Sequence, residues 1–136
     1  MFSSSICSPQ STDFYSSPSY NQLRDDYHQV SAVARVFVDD TVPLNGGDQY
    51  SYEFIARGKV IEAFKGDFRA GQPIEFYVRA ERGYDHKAQR GNWIFFLNQR
   101  LDQQTRKSTY HELENSMRPP SKAILAKLRR LKREHR

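Results

Sequence analysis

The sequence predicts a mostly β fold, a small closed barrel of about five strands that carries a C-terminal helix. Three observations predict it. From Ile74 to Arg79, the apolar Ile74, Phe76 and Val78 alternate with Glu75, Tyr77 and Arg79, the period of a strand with one buried face. The stretch QYSYEFIARGKVIEAFKG is long for a single strand, and Gly58 lies where its phase becomes unclear. A glycine inside a strand pattern marks a bulge or a sharp coil, and a small barrel needs one so that a strand can serve both of its sides. Finally, KAILAKLRRLKREHR sets Ile124, Leu125, Leu128 and Leu131 on one helical stripe behind Ser121, a good N-cap.

Taken in chain order, residues 1–29 form an N-terminal arm, disordered or loosely docked. They are rich in Ser and Pro, show no period, and offer too little apolar surface to offset ordering. Phe14, Tyr15 and Tyr20 are the groups that would dock it. A first strand starts at Val30, with Val30, Ala32, Ala34, Val36 and Val38 on one parity. Pro43 and Asn45-Gly46-Gly47 end it in a tight connection. In the long second strand Tyr50, Tyr52, Phe54 and Ala56 share a parity, while Ile61 and Ala63 point to the other.

Lys65-Gly66-Asp67 then forms a sharp turn, because Gly66 can take backbone angles closed to other residues and Asp67 can bond its own backbone. The third strand carries the clear alternation. ERGYDHKAQRGN is a polar loop. WIFFLN is a nearly unbroken apolar run, as in a strand buried on both faces or closing a barrel. A short last strand falls around Thr109 to Leu113, and Pro119-Pro120 closes the domain. The barrel domain is thus 30–118 and the helical segment 119–136, the helix packed on the barrel or extending from it.

The chain of 136 residues has a formal charge of +5, but this belongs to its end: residues 121–136 hold seven basic groups against Glu134. Cys7 is the only cysteine, so an internal disulfide and a Cys-based zinc site are both excluded. No window reaches transmembrane length and residues 1–30 contain no export signal, so the protein stays inside unless its start is late or the chain is a mature form.

These strands, the bent second one and the terminal helix describe an OB-like barrel. The run from Val60 to Asp67, then GQPIEFYV, then RGNWIFFL resembles the netrin-like fold, shared by tissue inhibitors of metalloproteinases and by exported bacterial proteins. The resemblance covers about residues 30–100 and, more loosely, the C-terminal helix. It implies a barrel whose long coiled strand ends at Lys65-Gly66 and whose core holds Trp93 to Leu97. It also implies an exported, periplasmic or cell-surface protein. Protease inhibition is not implied, because that activity rests on a disulfide-pinned Cys-x-Cys segment and Cys7 has no partner.

No phosphate-binding loop, dinucleotide fingerprint, zinc-protease motif or nucleophile elbow occurs, and no cofactor is expected. His28, His86, His111 and His135 lack ligand spacing, and Asp85-His86 reads as a solvated loop pair. The candidate binding surface has two parts. One is the basic face of the helix, with Lys127, Arg129, Arg130 and Arg133; its plain reading is a solvated face, and its other readings are phosphate, anionic membrane or acidic-partner binding. The other part is the sheet face of Tyr77, Arg79 and Arg82, where exposed aromatics beside arginines suit OB-type ligands. The expected function is a non-enzymatic binding module for a protein or cell-envelope partner. The alternative is a nucleic-acid-binding OB protein using the helix and the Tyr77/Arg79 face.

Overall fold

The alternating segments become five strands, β1 (Ala32–Pro43), β2 (Ser51–Lys65), β3 (Pro73–Glu81), β4 (Gly91–Leu101) and β5 (Ser108–Glu112), between helices α1 (Tyr20–Gln29) and α2 (Lys122–Glu134). The computed structural model describes residues 19–135, so Cys7, Phe14 and Tyr15 lie outside it. The strands pair in the order β1-β2-β3-β5-β4, and β4 pairs back on β1 with Trp93 opposite Val36. Neighbours run antiparallel except β3 and β5, which run parallel and meet through the single pair Tyr77–His111.

β2 serves two partners, as its length requires: Ser51–Lys59 pairs with β3, and Phe54–Lys65 pairs with β1. Its Gly58 sits opposite the β1 bulge at Val38–Asp40. A Cβ there would lie 2.0 Å from the Phe37 carbonyl oxygen, so only glycine lets the two backbones approach. Gly66, at φ +96°, makes the corner that leaves β2. Near that corner the phase changes. Ala63 packs on the inner core and Phe64 on the helix-side core, while Ile61 stays partly exposed.

The described residues form two cores. The inner one gathers Val36, Val38, Phe54, Phe76, Val78, Phe95 and Leu97. The second joins Val33, Phe64, Ile94 and Phe96 to the α2 stripe of Ile124, Leu125, Leu128 and Leu131. The unbroken run in β4 follows from this: Phe95 and Leu97 face the inner core, and Ile94 and Phe96 face the helices. α2 is capped as its sequence predicts, Ser121 Oγ accepting from the Ile124 amide at 3.2 Å.

The N-terminal arm needs correction over its last ten residues. Tyr20–Gln29 is a helix with a capping box, Ser19 and Gln22 each satisfying the other's amide. Leu23, Tyr27 and Val30 are buried in the second core. The Tyr27 hydroxyl donates to the Phe64 carbonyl at 3.0 Å. Tyr20 docks too: it hydrogen-bonds Glu134, and the Arg130 guanidinium lies 4.2 Å above its ring.

Candidate functional site

On β3, the parity that buries Ile74, Phe76 and Val78 turns Tyr77 and Arg79 to the outer face. The register then builds a row across four strands, Ile55, Tyr77, His111 and Asn98. Tyr77 and His111 stack, with ring centroids 5.0 Å apart and planes 14° from parallel. His111 Nε2 is 2.9 Å from Thr109 Oγ1. Burial, helped by nearby Arg100 and opposed by Glu53, holds the His111 imidazole below the usual histidine range.

The stacked pair lines an open cleft of about 360 Å³. β2 contributes Glu53, β3 adds Arg79, β4 adds Asn98 and Arg100, and the end of β5 brings Glu112, Leu113 and Glu114. Glu112 is the unusual member. Its carboxyl is pushed up to about 8 by burial, with Glu114 adding to the rise and an amide hydrogen bond from Gln89 opposing it. That bond is long, 3.5 Å. Gln89 is itself buried in the 3-10 turn His86–Gln89, where its Oε1 accepts from the Tyr84 hydroxyl at 2.7 Å.

Of the sequence-predicted residues, the structure brings Tyr77 and Arg79 to this cleft. Arg79 also reaches Asp48 at 3.7 Å, a carboxylate held low chiefly by the amides of Tyr50 and Ser51. Arg82 does not line it. Its guanidinium clasps the β1–β2 loop, donating to the carbonyls of Asp48 and Gly46 at 2.9 Å each, and covers the Tyr52 ring.

The helix cations do not line the cleft either. Arg129 grips Glu62 through two bonds, 3.0 and 2.7 Å. Arg130 pairs with Glu134 at 3.0 Å, and neighbouring Lys132 donates to the Ala63 carbonyl at 2.9 Å. Lys127 also has a partner in the fold, and Arg133 is exposed.

Asp85 caps the Lys87 amide at 3.0 Å instead of orienting His86. His86 Nδ1 lies 2.7 Å from the hydroxyl of buried Thr41, which also accepts from Arg90 at 3.2 Å. This contact anchors the 3-10 turn to β1. Among the described residues, no three His, Cys, Asp or Glu converge as metal ligands would, and no helix is long and apolar enough to cross a membrane.

Sequence reasoning found the β3 half of the cleft and missed His111, Glu112, Asn98 and Arg100 as its members. Their signal is the parallel β3–β5 pairing, which joins segments that no local pattern connects. No protein-family model matches the chain, and no curated protein matches it significantly.

Proposed function

We propose that the chain is a non-enzymatic binding module on a netrin-like, OB-type closed barrel. In this reading it holds a segment of a partner protein, one belonging to the cell envelope, in the Tyr77–His111 cleft. The barrel reading is supported by a strand order that returns from β4 to β1 and by the long bent β2. The netrin-like kinship is supported by a coiled strand that ends at Lys65-Gly66, by Gly91 opening β4, and by a packed terminal helix.

The observation that carries the functional reading is the mixed sign of the cleft. Arg79 and Arg100 share it with Glu53 and Glu114. A phosphate backbone meets repulsion there, whereas a peptide offers both signs and hydrogen bonds. The engagement of Arg129, Arg130 and Lys132 within the fold weakens the nucleic-acid alternative further.

The test is an amide-shift titration of the full chain with a mixed-sequence decapeptide pool and, separately, with single-stranded oligothymidylate at low salt. The proposal expects the peptides to move the amides of Tyr77, Arg79, Asn98 and His111 and the oligonucleotide to leave them still. Oligonucleotide binding whose log affinity falls with log salt at a slope near about −4.5, as for about five phosphates, would establish the alternative. Silence of these amides toward both ligands would remove the cleft from consideration.

A further inference from the structure

The 3-10 turn His86–Gln89 closes one end of the inner core. Fully buried Phe54 lies there, its ring 5.8 Å from that of His86 and stacked on Tyr84 at 6.4 Å. From β2 the Tyr52 hydroxyl donates to the Tyr84 carbonyl. Gly83 and Gly91 bound the segment, at φ +97° and +111°. Residues at the ends of a short loop are where a hinge absorbs its change of angle.

The two flanks of this turn are held differently. Toward β1, the hydroxyl of buried Thr41 lies 2.7 Å from His86 Nδ1 and accepts from Arg90 at 3.2 Å, and Arg90 reaches Asp40 at 3.7 Å. Toward β5, the hold is the side chain of buried Gln89. Its Oε1 accepts from the Tyr84 hydroxyl, which leaves Nε2 to donate to Glu112 at 3.5 Å, the outer limit of such contacts.

Glu112 borders the outer cleft along the chain, but its side chain leaves it. The β4–β5 register sets it opposite Leu97, and it shares the parity of Tyr110; both pack in the inner core. Its carboxyl therefore turns inward to Gln89, while His111, Arg79, Arg100 and Glu53 stand on the other face of the sheet. The groups on its own side are Gln89 from the turn, Leu97 from β4, Val78 from β3, and Tyr110 and Glu114 on its own segment. None is a cation, and among the described residues no ion pair includes Glu112. A carboxyl so placed is stable as a neutral acid against a neutral amide and costly as an anion. Burial, with Glu114 adding to it, accordingly pushes Glu112 up to about 8.

We propose that residues 84–90 form a proton-linked flap over the end of the barrel, tethered to β1 at Thr41 and latched to β5 by the neutral Glu112–Gln89 pair. When Glu112 gives its proton to water the latch releases. The turn then lifts from β5, while His86 and Arg90 stay on Thr41. Lifting hydrates the carboxylate and uncovers the Phe54 end of the inner core.

The sign follows from linkage. In the open flap Glu112 titrates as an ordinary glutamate, at about 4.3. In the closed flap it titrates near 8. Between these values opening releases one proton, so the opening constant rises roughly tenfold per pH unit and levels off above the closed value.

Hydrogen exchange of the full chain, corrected for the intrinsic pH dependence of amide exchange, tests this. The Lys87 and Ala88 amides are bonded within the turn, and a lone turn does not keep its bonds once lifted. Their opening constant should rise roughly a hundredfold from about pH 5.5 to about pH 7.5, with the amides of β1 and β4 unmoved. Glu112→Gln should make it level with pH. His86 is retained in that variant, so any pH dependence of its own persists there. Tyr84→Phe frees the Gln89 amide but keeps Glu112. It should raise opening severalfold at each pH with the slope unchanged, and it holds the test open if the Glu112 variant folds poorly.

Opening indifferent to pH, or the same rise in Glu112→Gln, overturns the proposal. So does a Tyr84→Phe flap that opens no more than wild type. A rise shared equally by β1 and β4 overturns it too, because the whole barrel is then unfolding.

Discussion

The cations of α2 and those on the outer face of β3 and β4 sit in opposite settings. On α2, Arg129 closes on Glu62, Arg130 on Glu134 and the Tyr20 ring, and Lys132 on a β2 carbonyl. On the sheet, Arg79 and Arg100 stand at the rim of a concave surface with Tyr77 and His111. The helix is the more basic of the two in sequence, yet it is the more completely satisfied. Charge density along a chain therefore says little about binding until the facing surface is known. Here β2 supplies Glu62 to the helix, and the last turn of α2 supplies Glu134.

The largest effect that sharpens this contrast is on stability. Leu128 is fully buried between α2 and the sheet. Leu128→Ala should cost about 2–5 kcal/mol in urea unfolding, as for other leucines truncated in a core. Cutting the chain after Arg118 should lower the melting temperature further. A truncated chain that melts unchanged would make α2 an appendage.

A second effect comes from Glu112 through pH. The Glu112 carboxyl titrates higher when folded, near 8, than in the unfolded chain, so the folded state holds the extra proton. Its contribution is complete below the ordinary glutamate range and is lost as pH rises through about 8. Stability measured by denaturant at several pH values should therefore fall across that window, and Glu112→Gln should flatten the fall.

Tyr77→Ala should cost about 0.5–1.5 kcal/mol, the value of a partly buried aromatic stack, while abolishing ligand shifts at His111. The smallest effect belongs to Arg129→Ala, a barely lowered melting temperature, since both partners of that ion pair are partly exposed and screened by solvent. It should leave the amides of Tyr77 and His111 where they are.

How much of this was legible in the sequence depends on how local each signal is. The stripe and cap of α2 lie within sixteen residues, and the alternation of β3 within six, so both could be read directly. The double burial of β4 was legible because two cores demand apolar residues on successive positions. α1 was not read, although its capping box stands in the sequence. Leu23 and Tyr27 alone make a weak period, and their burial depends on α2 being there to cover them. The cleft was half legible. Tyr77 and Arg79 follow from parity, but His111, Glu112 and Arg100 join them only through a parallel pair and the β4–β5 register.

The central claim is that the sheet face recognises a ligand while the basic helix holds the fold. Binding isotherms of the decapeptide pool to two double variants, Tyr77→Ala with Arg79→Ala and Arg129→Gln with Arg130→Gln, test it most directly. The account predicts that the first loses the ligand and the second keeps it at wild-type affinity. Retention by the first together with loss by the second would contradict it.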